Sequence, residues 1–212
     1  MTFYQIAVRI LQFVFKLFNG PAIIKGLDNL PDPEDGSYIY AITHRSLFDP
    51  FYIACYLYPR KISFMAKESL FKNSLLGNLL KKAHVFPVNR EKTSPKTIKF
   101  AVKQMTEQDL NLGIFPSGSR YSTEIKGGTG FIQRLSKKDI IPISIQPPLS
   151  AGQFFSRKKA KINIGSPIKY KPELAYDKED LAQIDQTLAQ AFDQLDKELD
   201  PNYIYIPPKK KN

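Results

Sequence analysis

Short apolar runs alternate with segments of helical spacing along this chain, and that alternation constrains the fold more than any other feature. Tyr38–Ile42, Lys61–Met65, His84–Val88, Leu112–Phe115, Ile140–Gln146 and Lys161–Ile164 read as strands, and Pro21–Leu30 holds a further short one. Strands that are apolar throughout, rather than alternating, are buried on both faces. Between them, Phe51–Tyr58 reads as a buried helix, and Ser69–Lys82 carries leucines at helical spacing around Gly77. Ser94 is placed to cap a helix that starts at Pro95 and runs to Thr106. Lys126-Gly127-Gly128 is a loop opening a short helix, and Asp177–Leu199 is a long polar helix that stops at Asp200-Pro201. Strands alternating with helices predict an α/β fold, a single domain whose mixed, mainly parallel sheet is flanked by helices on both faces. With 212 residues, 42% of them hydrophobic, the chain can bury one such core, and no Gly-, Ser- or Pro-rich linker divides it. The expected organisation is an N-terminal amphipathic helix over 1–19, the core domain over 20–200 and a basic tail over 201–212.

The charge balance narrows the partners. Lys and Arg number 31 against 20 Asp and Glu, a formal net charge of +11, which favours nucleic acid, an anionic membrane surface or a phosphorylated substrate. The basic residues are scattered over several elements and form no recognisable nucleic-acid motif, so no nucleic acid partner is expected. Cys55 is the single cysteine, which excludes an intrachain disulfide and fits a reducing cytosol. The two histidines, His44 and His84, are far apart and belong to no His/Cys cluster, so no metal site is expected.

The first twenty residues discriminate further. Phe3, Ile6, Ala7, Ile10, Val14, Leu17 and Phe18 recur at helical spacing, interrupted by Gln5, Arg9, Gln12 and Lys16. Such a segment is short and charged for a transmembrane helix, and it has no signal-peptide cleavage site. Two readings fit: a helix lying in the bilayer interface with its cations near anionic head groups, or an ordinary amphipathic helix docked on the core. In the tail, Tyr203-Ile204-Tyr205-Ile206 precedes Lys209-Lys210-Lys211, which reads either as a frayed end or as a second membrane contact.

Three loops follow predicted strands and carry chemistry. The first holds His44 five positions ahead of Asp49, at a strand-to-helix turn, the place where α/β folds put their sites. A histidine with a carboxylate in reach is a candidate general base, and equally a cap or a hydrogen-bonded core residue. The second loop holds Asn89 and Arg90, the third Ser117, Gly118, Ser119 and Arg120. In a parallel sheet these loops share one edge, where a base, two guanidinium groups and a flexible turn converge on an anionic substrate. Arginine's planar fork suits phosphate, Gly118 permits close backbone approach and Ser119 adds a donor. Lys126-Gly127-Gly128 lacks the spacing of a P-loop, which excludes an NTPase, and no Gly-x-Ser-x-Gly elbow marks a serine hydrolase.

Taken in order, these segments resemble the blocks of the glycerophospholipid acyltransferases, particularly the bacterial lysophosphatidic acid acyltransferases. Thr43-His44-Arg45-Ser46-Leu47-Phe48-Asp49 is similar to their His-x4-Asp block and Phe86-Pro87-Val88-Asn89-Arg90 to their second. Ile114-Phe115-Pro116-Ser117-Gly118-Ser119-Arg120 resembles the third, usually Phe-Pro-Glu-Gly-Thr-Arg, and Ile140-Ile141-Pro142-Ile143-Ser144 the fourth. Lys126-Gly127-Gly128 matches the family's Lys-Gly segment, and the likeness spans roughly residues 20 to 170. Three positions depart from the pattern: Ser117 replaces the usual glutamate, Ser119 the threonine, and Thr43 a common asparagine. The resemblance implies acyl transfer from a thioester, acyl-CoA or acyl-acyl carrier protein, to the sn-2 hydroxyl of lysophosphatidic acid, giving phosphatidic acid without a cofactor. It implies His44 and Asp49 as the catalytic pair, and Arg90, Ser117, Gly118, Ser119, Arg120 and Lys126 as substrate-binding residues. It also implies an enzyme seated at the cytoplasmic face of the cell membrane.

Overall fold

The computed structural model of the protein describes residues 1–89 and 94–209. Seven strands form one sheet: β1 (Ile23–Lys25), β2 (Ile39–Ile42), β3 (Ile62–Lys67), β4 (Val85–Val88), β5 (Asn111–Ile114), β6 (Ile140–Gln146) and β7 (Lys161–Ile164). Their order is β1-β7-β6-β2-β5-β3-β4, with every pairing parallel except β6 with β7. The strands β6, β2, β5, β3 and β4 therefore run the same way, and their C-terminal ends lie along one edge. The reversal at β7 coincides with Pro142 in β6, whose carbonyl accepts from Gly165 N–H at 2.8 Å just past the end of β7. A proline in a central strand is tolerated where the ladder stops.

The all-buried strands β2 and β6 point alternate side chains into two cores. Tyr40, Ile42, Ile141, Ile143 and Ile145 meet α1 (Phe3–Phe18), α2 (Asp49–Tyr56) and α6 (Ala151–Phe155) through Phe15, Tyr52, Ile53 and Phe154. Ile39, Ala41 and Ile140 meet α4 (Pro95–Thr106), α5 (Gly128–Ser136) and α7 (Lys178–Leu199) through Ala101, Met105, Ile132, Ile184 and Leu188. The α/β class and the helices on both faces are as the sequence predicts. Ser94 caps α4 by accepting from Thr97 N–H at 3.2 Å.

Two local departures have physical causes. The predicted helix from Ser69 is broken into a 3-10 turn, Glu68–Phe71, and α3 (Ser74–Lys82), because Asn73 caps the second piece by accepting from Leu76 N–H at 3.0 Å. Gly77 permits the fold-back, since a Cβ there would sit 3.0 Å from the Phe71 carbonyl oxygen. The short α6 carries no helical periodicity of its own and is held by the Ser150 cap and by Phe154 in the core.

The helix α1 begins with a capping box, Thr2 and Gln5 each accepting the other's backbone N–H. Its apolar arc is wider than the core uses. Tyr4, Val8 and Phe15 are buried against the domain, whereas Phe3, Ile6, Ile10, Phe13 and Leu17 form an adjacent exposed stripe. Among the described residues no helix is long and apolar enough to cross a membrane.

Candidate active site

The loop after β2 folds around one carboxylate. Asp49 opens α2, where the helix N-terminus favours negative charge, and Pro50 behind it gives up no helical bond. Its Oδ2 accepts from the backbone N–H of Arg45 at 2.6 Å and of Ser46 at 2.8 Å, and faces His44 Nδ1 at 3.0 Å. The Asp49 side chain is wholly buried and that of His44 is 8% exposed. A carboxylate acceptor makes Nδ1 the protonated nitrogen. The five-residue spacing thus closes a turn that aims the imidazole and holds it in one tautomer.

An aromatic stack supports the ring. Phe115 lies over His44 with centroids 4.1 Å apart, and Phe64 lies 6.1 Å behind Phe115. Phe64 fits because position 113 is glycine: a Cβ on Gly113 would come within 2.2 Å of the Phe64 ring. Gly113→Ala is therefore expected to displace Phe64, lower stability by about 1–3 kcal/mol and reduce turnover through the shifted imidazole. Denaturant melts and kcat check this, and a second change, Phe64→Leu, should recover part of the stability.

Two cavities meet at His44 and Pro116. The larger, about 740 Å³, is lined by Lys67, Phe115, Gly118, Ser119, Arg120 and Lys126 among others. The smaller, about 310 Å³, is lined by Arg45, Ser117, Phe192, Asp193, Asp196 and Tyr205 among others. The larger is cationic and the smaller carries acidic residues from α7. A positive φ of 69° at Gly118 lets the turn pass close to Lys126, whose ammonium would lie 3.9 Å from a Cβ there. Gly118 N–H itself donates to the Phe115 carbonyl at 2.8 Å, so that donor belongs to the turn. Ser117 Oγ donates to the Ser119 carbonyl at 2.9 Å, and Ser119 Oγ accepts from Tyr121 N–H at 3.3 Å.

The residues singled out by sequence divide accordingly. His44, Gly118, Ser119, Arg120 and Lys126 line the larger cavity, Asp49 lies beneath the imidazole, and Ser117 faces the smaller cavity. Arg90 lies outside the described residues. His84, just ahead of the edge strand β4, packs with its ring tilted against Tyr4, centroids 5.3 Å apart, away from the cavities, and burial holds its pKa below the usual histidine value. Among the described residues, no group of three His, Cys, Asp or Glu side chains is placed to hold a metal ion. Cys55 is buried, and burial pushes its thiol up to about 12, which leaves it protonated and inert.

Sequence reading missed three contributors. Lys67, the last residue of β3, adds a cation at the same edge, and its strand-end position is the signal that would have found it. Phe115 reads from sequence as a strand residue and not as a platform. Arg45 is buried inside the motif loop, donating to the Ile145 carbonyl at 2.7 Å and pairing bidentately with Asp196 of α7. It clamps the loop to α7, so its role is structural.

Fold and site together describe an α/β enzyme with a carboxylate-held histidine beside a cationic pocket. The family model described as Acyltransferase matches residues 22–146, and the chain belongs to that family and is an acyltransferase. Two 1-acyl-sn-glycerol-3-phosphate acyltransferases are similar to it. The protein of Bacillus subtilis is 33% identical over 201 residues, covering 93% of this chain and 98% of its own length. That of Streptococcus pneumoniae is 32% identical over 180 residues, covering 85% and 68%. The fold matches the crystal structure of the 1-acyl-sn-glycerophosphate acyltransferase of Thermotoga maritima with a TM-score of 0.69 at 17% identity, over 91% of this chain and 81% of that one.

Proposed function

We propose that the protein transfers a fatty acyl group from a thioester donor to the sn-2 hydroxyl of 1-acyl-glycerol-3-phosphate, with His44 as general base. The observation that carries this reading is the 3.0 Å contact between His44 Nδ1 and the buried carboxylate of Asp49, at the wall of a cavity that also holds Arg120, Lys126 and Lys67. With Nδ1 held by Asp49, Nε2 is the nitrogen left to take the proton from the acceptor hydroxyl. The oxygen then attacks the thioester carbonyl, the C–S bond breaks as the tetrahedral intermediate collapses, and the thiolate leaves with the proton that His44 returns. Asp49 stabilises the transient imidazolium without itself becoming protonated. No covalent acyl-enzyme is needed, because the substrate supplies the nucleophile.

Arg120, Lys126 and Lys67 supply the positive field for the acceptor phosphate, and Arg120 adds the bidentate fork. The names of the two relatives support this acceptor. The test is an assay offering lysophosphatidic acid, glycerol-3-phosphate and other lysolipids, each with acyl-coenzyme A and with acyl carrier protein thioesters. Preference for lysophosphatidic acid supports the reading, and turnover of only uncharged acceptors refutes it.

The acceptor and product are membrane lipids, so the reading includes an enzyme seated on the cytoplasmic face of a membrane. The stripe Ile6, Ile10, Phe13 and Leu17, flanked by Arg9 and Lys16, has the character of a helix lying in an anionic interface. Deleting α1 would also strip Tyr4, Val8 and Phe15 from the core, at about 1.5–3 kcal/mol each. The clean variant is Ile10→Glu with Phe13→Glu, at two positions 58% and 68% exposed. It is expected to lose co-sedimentation with phosphatidylglycerol vesicles while keeping its melting temperature; undiminished binding would remove α1 as the anchor.

A further inference from the structure

We infer that Tyr205, in the C-terminal segment after α7, is a positioning residue that ties the His44 loop to the Arg120 loop and so sets the distance between the base and the phosphate-binding cation. Its hydroxyl lies 2.8 Å from the Arg120 carbonyl and, in a longer contact, 3.4 Å from the Arg45 carbonyl. The hydroxyl hydrogen goes to the nearer Arg120 carbonyl, while the Arg45 guanidinium lies over the same ring, 5.6 Å from its centroid, so one side chain meets both loops. Among the described residues this is a link between backbone groups 75 positions apart in the chain, made by a residue 85 positions beyond the second of them.

The segment is built to stay there. After α7 the chain alternates, Tyr203 and Tyr205 turning inward while Ile204 and Ile206 are exposed. The buried Arg45 guanidinium lies over both tyrosine rings, 5.0 Å from the centroid of Tyr203 and 5.6 Å from that of Tyr205. That cation is already fixed by Asp196, so the rings dock on a rigid post. Burial raises both phenols, Tyr203 to about 12, so Tyr205 keeps the proton it donates.

The loops need such a link. Arg45 and Arg120 rise from the adjacent strands β2 and β5, but Arg120 lies six residues past the end of β5, beyond the reach of the ladder. Hydrogen-bonding its own carbonyl fixes the backbone from which the guanidinium extends into the larger cavity. On the reading of His44 as base and Arg120 as phosphate ligand, a loosened loop weakens capture of the acceptor phosphate that Arg120 binds.

The test is steady-state kinetics of full-length Tyr205→Phe with 1-acyl-glycerol-3-phosphate and an acyl-coenzyme A, alongside Tyr203→Phe and His44→Ala. Phenylalanine keeps the stacking and removes the bridge. Tyr205→Phe is expected to raise KM for the lysolipid roughly three- to tenfold, the effect of losing one hydrogen bond, with KM for the donor and the melting temperature unchanged. Tyr203→Phe is expected to match the wild type, because its buried hydroxyl has no hydrogen-bond partner among the described residues. A wild-type KM in Tyr205→Phe overturns the bridge, as does a uniform loss for both substrates that follows a lowered melting temperature. Full turnover by His44→Ala is a separate result: it overturns the base assignment and, with it, the loop roles that the bridge serves.

Discussion

The His44→Ala variant is expected to lose acyl transfer by roughly a hundred- to ten-thousand-fold in kcat while melting at the wild-type temperature. The activity loss follows from removing the group we propose takes the hydroxyl proton. The unchanged stability follows from the geometry of Asp49: with the imidazole gone, Oδ2, the oxygen that faced it, still accepts two backbone N–H bonds from Arg45 and Ser46. The imidazole also lies at a cavity wall, where its removal opens space already connected to solvent. Thioester-dependent formation of phosphatidic acid, measured beside a thermal melt, checks both halves. Wild-type turnover would remove His44 as the base.

Asp49→Ala is expected to fail on both counts. The loss strands the Arg45 and Ser46 amides and the His44 Nδ1–H in a buried turn, and it removes the anion from the start of α2. A buried charged acceptor serving three donors costs about 2–4 kcal/mol to delete, and the imidazole then loses its tautomer and its stabilised imidazolium together. Urea unfolding and kcat on the same preparations separate this variant from His44→Ala: equal stability in the two would show that Asp49 does not organise the turn.

These two expectations mark how much of the site was legible in the chain. His44 and Asp49 were readable because both lie in one short turn, at the switch from an all-apolar strand to a helix opened by Asp-Pro. The same holds for Arg120 and Lys126, which follow strand β5 in a turn with its own glycine. The partners that make the pair a rigid device were not readable. Phe115 looks like one more strand residue until β5 is placed beside β2, and Gly113 looks like a weak strand position until Phe64 of β3 is found lying across it. Arg45 sits inside the motif, yet its partner Asp196 is 151 residues away.

By itself, the sequence determined the elements and their order, the mainly parallel sheet they imply, and the turn that brings His44 to Asp49, because each depends on contacts within a few residues or on burial periodicity. Only the tertiary structure decided the reversal at β7, the division of the N-terminal helix into a core face and an exposed face, the separation of Ser117 from the cationic cavity, and the docking of Tyr205 across two loops. Those depend on which surfaces meet across many tens of residues. Hydrogen bonds and packing between such distant segments leave no periodic trace in either of them.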